Sequence, residues 1–247
     1  MARVQTISQN KYLKRLAFTL AEVLITLGII GIVAEMTIPT LVQNTQEKVT
    51  VVSLKKAYSM LTQAYTMAVT DNGTPDTWGF TADGAGAVTM MNVVKPYFRV
   101  TQDCGTGGTC FSGDDYKHMN GSSRGTINGD TGLAKVRLAD GTLWAVAITS
   151  ATCNTDFGST LTGCGYFYVD VNGFKKPNTV GKDFFLMYIT KDGIIPVGMP
   201  TDNTMRFSDN CSTNSGWGCA GWVIYNENMD YLKCPASLSW GGQTKCS

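Results

Sequence analysis

A long apolar run directly behind a basic stretch is the feature that most constrains this chain. Residues 1–17 carry four basic side chains and no acidic one, whereas residues 18–42 contain only two charged side chains, Glu22 and Glu35. About 20 apolar residues in a helix cross a hydrocarbon core of ~30 Å. Basic residues before such a helix favour a cytoplasmic N-terminus. The sequence therefore predicts one membrane-spanning helix with the rest of the chain outside the cytoplasm.

A conventional secretory signal peptide is the main alternative for this stretch. Two features argue against it: Glu22 lies near the start of the apolar run, and no persuasive Ala-x-Ala cleavage site ends the run. A carboxylate inside a membrane segment costs a few kcal/mol, so its presence points to a function.

The stretch AFTLAE at residues 17–22 combines a small residue, a phenylalanine and a glutamate four positions later, behind a basic leader. It resembles the prepilin motif of type IV pilins and type II secretion pseudopilins. The resemblance implies that a prepilin peptidase cuts between Ala17 and Phe18 and methylates the new amino group of Phe18. Ala17 stands where that family usually has glycine, and alanine is the nearest substitute in size.

The resemblance also implies roles for residues inside the helix. Glu22 would neutralise the amino group of Phe18 on a neighbouring subunit, because an unpaired carboxylate is costly in a low-dielectric filament core. Gly31 and Pro39 would mark where the helix can bend or melt on leaving the membrane.

The same resemblance implies partners and a location. The partners are the prepilin peptidase, identical or related pilin subunits, an inner-membrane assembly platform and membrane lipid. The chain would be held by a single pass in the inner (cytoplasmic) membrane with its head outside the cytoplasm. After processing it would join a periplasmic or surface filament.

Helical periodicity continues beyond the apolar run until a cluster of breakers at residues 71–75. We therefore divide the chain into a basic leader (1–17), a transmembrane and assembly helix (18–42), an amphipathic second half of that helix (43–75) and an extracytoplasmic head (76–247). Apolar side chains of the second half form one stripe: Val51, Leu54, Tyr58, Leu61, Tyr65 and Ala68.

The head is rich in glycine, threonine, asparagine and aromatic residues. Turn dipeptides at 140–141, 172–173 and 192–193 separate apolar segments, which predicts antiparallel hairpins. Residues 222–225 are a further possible strand. The predicted fold class is α+β and pilin-like, with the long N-terminal helix packed on a mainly antiparallel sheet and with disulfide-pinned loops.

All eight cysteines lie between residues 104 and 246, in the predicted head. An even number in loop-rich sequence suggests disulfides and an oxidising compartment, and buried free thiols are the alternative. Zinc is disfavoured, because C-x-x-C is absent and His118 is the only histidine. Eight cysteines allow 105 pairings. Their order favours local loops: Cys104 with Cys110, Cys153 with Cys164, Cys211 with Cys219, and Cys234 with Cys246.

Oxygen-bearing side chains at Asp170, Asn172, Asn178 and Asp183 are the best candidates for a calcium site. An EF-hand is excluded, because Gly181 stands where the closing glutamate is needed. The alternative is that these are turn residues whose side chains bond nearby backbone. Calcium aside, the sequence predicts no cofactor.

Enzyme chemistry and nucleic-acid binding have little support in the sequence. A histidine-dependent catalytic site would rest on His118 alone, and neither a P-loop nor GxGxxG occurs. Net charge is +1 without a basic patch in the head, so no nucleic-acid partner is expected. The sequence favours a non-enzymatic structural subunit of a type IV pilus-like or type II secretion filament. A membrane-tethered extracytoplasmic binding protein is the alternative.

Overall fold

The computed structural model describes residues 19–158, 161–212 and 214–247. The chain divides into two compact units, Met1–Thr45 and Gln46–Ser247. The helices are α1 (Leu20–Asn72), α2 (Gly84–Val94), α3 (Phe207–Asn210) and α4 (Ala220–Asn226). The strands are β1 (Val100–Gly105), β2 (Tyr116–Lys117), β3 (Ser123–Gly125), β4 (Ala134–Leu138), β5 (Leu143–Ile148), β6 (Thr155–Asp156), β7 (Thr162–Gly163), β8 (Gly165–Asp170), β9 (Phe184–Ile189) and β10 (Ile194–Pro196).

The main sheet of the second unit has six strands in the order β1-β4-β5-β8-β9-β10. Each neighbouring pair is antiparallel, which confirms the predicted sheet type. The turns at 140–141 and 192–193 join β4 to β5 and β9 to β10, as predicted. Gly141 has φ +88°, a conformation that glycine adopts without strain. The turn at 172–173 instead lies inside the long β8–β9 loop, 171–183.

The second half of α1 packs on this sheet through the predicted stripe. Leu54 and Leu61 are fully buried and share one core with Trp144 of β5 and Phe185 of β9. Burying each leucine contributes roughly 1.5–3 kcal/mol. The Tyr65 hydroxyl donates to the carbonyl of Thr190. An α+β fold with a long N-terminal helix and an antiparallel sheet is therefore confirmed.

Two helices differ from the sequence prediction. Residues 222–225 lie in α4 and not in a strand, because a four-residue apolar run does not distinguish the two and here Trp222 and Val223 are buried while Tyr225 is exposed. The helix α2 was not predicted, since its glycines are poor helix formers. The Asp83 side chain accepts the Gly86 N–H at 2.9 Å and so caps its first turn.

All four predicted disulfides are present, and no cysteine is left free in the part of the chain described here. Each closes a loop of the second unit, with Cα–Cα distances between 3.7 and 6.0 Å. The local pairing favoured by short chain separation is thus confirmed: Cys104–Cys110, Cys153–Cys164, Cys211–Cys219 and Cys234–Cys246.

Candidate assembly helix and candidate cation site

The first half of α1, residues 20–42, presents apolar side chains on every side. Its large apolar residues are between 42% and 77% exposed, and no residue of its most apolar stretch is buried. By length and composition α1 is able to cross a membrane, a property that it shares with signal sequences. A helix that is apolar all round requires a surrounding of lipid or of other protein.

Glu22 takes part in a capping box at the start of α1. The N–H and the hydroxyl of Thr19 both donate to Glu22 Oε2 at 2.9 Å, and the Glu22 N–H donates to Thr19 Oγ1 at 3.2 Å. These bonds satisfy backbone donors that a helix N-terminus leaves open. The sequence signal Thr-x-x-Glu was available, and the prediction overlooked it. Ala17 and Phe18, the predicted cleavage site, lie outside the described residues.

Gly31 and Pro39 lie within α1, which is helical through both positions. A Cβ atom placed on Gly31 would meet no atom within 4 Å, so none of the described residues requires glycine there. The hydroxyls of Thr26 and Thr37 donate to carbonyls of their own helix at 3.0 and 2.8 Å, which suits an apolar surrounding. Bending at either position stays a prediction.

The predicted calcium residues lie around the β8–β9 loop, and the structure brings them together. Asp170 ends β8 and is fully buried. Its Oδ1 accepts the N–H groups of Asn172 and Gly173 at 3.1 and 2.9 Å, and its Oδ2 accepts the hydroxyl of Tyr116. A turn held by its own aspartate in this way is an Asx-turn.

Asp183, directly before β9, is 1% exposed. Its Oδ1 accepts the Thr179 N–H at 2.6 Å, and its Oδ2 accepts the Asn178 N–H at 2.7 Å and Asn172 Nδ2 at 2.8 Å. Each buried carboxylate therefore receives three hydrogen bonds, as expected for turn residues. The side-chain oxygens of Asn172 and Asn178 are also buried and have no hydrogen-bond partner in the described chain.

The two carboxylates form a like-charge pair. Burial, and then the charge of Asp183, raise the pKa of Asp170 well above its usual range. Burial raises the pKa of Asp183 to about 6, against the hydrogen bonds from Thr179, Asn178 and Asn172. Within the described ranges neither carboxylate forms a salt bridge, and no group of three or more His, Cys, Asp or Glu side chains is placed to hold a metal. Calcium takes 6–8 oxygen ligands. Calcium binding at these residues stays a prediction.

Lys135 on β4 is a buried charge that the sequence analysis missed. The side chain is fully buried, and burial lowers its pKa while the Asp130 carboxylate opposes that shift. The only sequence signal is a lysine inside an alternating strand. Four main-chain carbonyls lie within hydrogen-bond distance of the ammonium and share its three N–H donors: Thr106 at 2.8 Å, Ile127 at 3.3 Å, Asn128 at 3.1 Å and Asp130 at 2.6 Å. It ties the Cys104–Cys110 loop to the turn before β4.

The aromatic and histidine side chains singled out in the sequence pack against the head. His118 Nδ1 lies 3.0 Å from the Ser215 carbonyl, and its ring meets the edge of Trp217 at 5.7 Å. Trp222 is fully buried and stacks on Phe207 at 4.0 Å, so it belongs to the core. Whether the protein has an activity of its own is untested by these contacts.

A family of unknown function (DUF6613) matches residues 40–97, which run from the middle of α1 through α2. The match covers less than half of the chain and does not include residues 17–22. No curated protein and no solved structure matches the chain. Functional inference therefore rests on the residues described above.

Proposed function

We propose that this protein is a membrane-anchored structural subunit that polymerises through the first half of α1 into a filament of the type IV pilus or type II secretion pseudopilus kind. The observation that carries the proposal is an apolar helical surface, residues 20–42, that the described chain leaves uncovered. The prepilin-like stretch at residues 17–22 supports it.

The free energy of that surface argues for burial. Thirteen large apolar side chains between Leu20 and Val42 are exposed. Burying each is worth about 1.5–3 kcal/mol, so the segment loses roughly 20 kcal/mol or more when it lies in water. Lipid covers it while the subunit is in the membrane, and helices of neighbouring subunits cover it in a filament.

Glu22 distinguishes assembly from simple anchoring. A tether has no use for a carboxylate near the start of its membrane segment, whereas a filament uses it to neutralise the amino group of a neighbouring Phe18. The capping box gives Glu22 a second, local role, and the two roles require different chemistry. A capping box accepts glutamine in place of glutamate, but an ion pair needs the charge.

The test compares Glu22→Gln and Glu22→Ala in the full chain, in cells that contain the prepilin peptidase. We expect both variants to reach the membrane and neither to enter sedimentable filaments, because both lack the charge. Glu22→Asp, which keeps the charge on a shorter side chain, is the control and should retain part of the assembly. Filaments of the Glu22→Gln variant at the wild-type level would exclude the ion-pair role.

Mass spectrometry of the mature N-terminus separates the proposal from a secreted protein with a conventional signal peptide. A chain that begins with methylated Phe18 is the expected result. A mature chain that begins after residue 35 would remove the assembly segment and with it the proposed function.

A membrane-tethered binding protein is the second candidate, and a groove in the second unit favours it. The groove has a volume of about 370 Å³ and lies between the second half of α1 and residues 97–99 and 138–140. Met60, Met67 and Phe98 line it. Wild-type chain that stays monomeric in the membrane, with Glu22→Gln indistinguishable from it, would favour this function over the first.

A further inference from the structure

Glu35 is the second carboxylate of the exposed apolar half of α1, and its situation differs from that of Glu22. Glu22 is bonded to Thr19, whereas Glu35 has neither a hydrogen bond nor an ion pair with any described residue. It lies about 22 Å along the helix from Leu20, still within the span of a hydrocarbon core. A carboxylate at such a depth costs a few kcal/mol until a cation reaches it.

Pro39 adds a second acceptor at the same place. A proline has no N–H, so the helical hydrogen bond to the carbonyl four residues earlier, that of Glu35, is missing. Glu35 thus presents a carboxylate and an orphaned carbonyl in a surface that is otherwise apolar. A lysine ammonium, with three donors and a positive charge, matches both acceptors.

The described part of α1 offers three lysines for this purpose. Lys55 and Lys56 already form ion pairs in their own head, with Glu227 and Asp140. Lys48 is exposed and forms no ion pair with any residue in the described ranges. It lies 13 positions beyond Glu35 on the same helix, about 20 Å away, so the two cannot meet within one copy.

We infer that Glu35 of one subunit pairs with Lys48 of a second copy, packed parallel to it and displaced by about 20 Å along the helix axis. Parallel packing follows from the shared orientation of subunits inserted in one membrane. The subunit that supplies Glu35 has moved outward, and Lys48 of a later subunit comes level with it. The inference rests on the proposed assembly through α1 and adds a register to it.

The same displacement brings Glu22 of the outer copy level with Glu35 of the inner one, but these charges do not face each other. Thirteen residues are about 3.6 helical turns, so Glu35 lies roughly 140° around the helix from the face that carries Lys48. The Glu35 of the inner copy is therefore turned toward a different neighbour.

A charge swap in the full chain tests the inference, with the fraction of subunits in sedimentable filaments as the measurement. Glu35→Lys or Lys48→Glu alone should lower that fraction about tenfold, equivalent to roughly 1.4 kcal/mol. The double swap should restore the fraction of assembled subunits to within about twofold of wild type, which corresponds to a remaining loss of about 0.4 kcal/mol. The matched control combines Glu35→Lys with Lys55→Glu, which has the same net charge and should not restore assembly.

Crosslinking provides an independent measurement that does not depend on charge reversal. Copies that carry Glu35→Cys and copies that carry Lys48→Cys, expressed together, should form a disulfide-linked heterodimer on oxidation. Wild-type filaments with neither a crosslink nor a rescue by the double swap would overturn the pairing and leave the proposed function intact. Wild-type chain that forms no filament at all would instead overturn the proposed function.

Discussion

The two halves of α1 belong to one helix, but their apolar residues are arranged differently. In residues 20–42 apolar side chains surround the helix and are exposed, whereas in residues 51–68 they form a stripe that is buried against the sheet. One neighbouring surface is enough to bury an apolar stripe, whereas a helix that is apolar on all sides needs lipid or several protein partners around it. The second half therefore completes a fold, and the first half is left for lipid or other subunits.

Charged groups follow the same division. Two lysines of the second half pair with acidic residues of the head: Lys55 with Glu227, and Lys56 with Asp140 at 2.8 Å. The buried Lys135 finds four carbonyls. In the first half Glu35 finds no partner among the described residues. These lysines therefore find their partners within the chain, whereas Glu35 does not find one among the described residues, and this difference can be tested.

Reduction of the disulfides should have the largest effect, and only on the head. Each disulfide contributes about 2–4 kcal/mol, so the loss of all four, about 8–16 kcal/mol, is comparable with the 5–15 kcal/mol that stabilises a typical domain. We expect the near-ultraviolet circular dichroism of the detergent-solubilised protein to disappear on reduction at 37 °C. Retention of the chain in the membrane fraction should not change. A head that still melts cooperatively after complete reduction, verified by mass, would contradict this.

Matched leucine truncations compare the two halves of α1 directly. Leu61 is fully buried and Leu27 is 60% exposed. Leu61→Ala should lower the free energy of unfolding of the head by about 4 kcal/mol, because it leaves a cavity. Leu27→Ala should leave that free energy unchanged within about 0.5 kcal/mol. Denaturant titration of the solubilised chain measures both, and equal losses would remove the distinction between the halves.

The sequence was most informative where local patterns determine structure. The stripe from Val51 to Ala68 predicted the buried face of α1, and short chain separation predicted all four disulfides. At residues 222–225 the pattern was ambiguous, since tertiary packing decides between strand and helix for so short a run. The Lys135 site was inaccessible to prediction, because its ligands are main-chain carbonyls brought together from distant loops.

Replacement of Lys135 tests how much the stability of the head depends on hydrogen bonds between this buried ammonium and main-chain carbonyls. Lys135→Met keeps an unbranched side chain, one atom shorter than lysine, and leaves one buried and three partly buried carbonyls without their donor. We expect a loss of about 3 kcal/mol in the free energy of unfolding, because an unsatisfied buried polar group costs about 1–3 kcal/mol. Lys56→Met, which breaks an exposed ion pair, is the control and should cost less than about 1 kcal/mol. Equal losses of unfolding free energy in the two variants would mean that the hydrogen bonds of Lys135 to these carbonyls add no stability.

The carboxylate pair of the β8–β9 loop places two like charges close together in the described head, and it predicts a pH dependence. The folded pKa values of Asp170 and Asp183 are raised above the ordinary 3.8, that of Asp183 to about 6. The folded state then holds more protons than the unfolded state above pH ~4. The stability that the raised pKa values contribute is therefore complete below pH ~4 and falls as pH rises, through about 6 for Asp183. Asp170→Asn imitates the protonated acid, so position 170 should no longer contribute a loss of stability as pH rises.

Urea titrations from pH 4 to pH 8 in EDTA measure the effect as the difference between wild type and Asp170→Asn. Other carboxylates, such as Asp140 with its lowered pKa, act in the opposite direction in both proteins and cancel. Wild type should lose stability relative to the variant as pH rises, because only wild type must ionise the buried Asp170. Parallel curves would contradict the like-charge pair.

Calcium bound by this pair would lower the pKa values of both aspartates. Added calcium would therefore stabilise wild type alone at pH 7 and reverse the difference in stability between wild type and Asp170→Asn. If calcium does not change the difference in stability between the two proteins, the two aspartates are turn residues only. Their oxygens then accept hydrogen bonds from the six donors that already reach them.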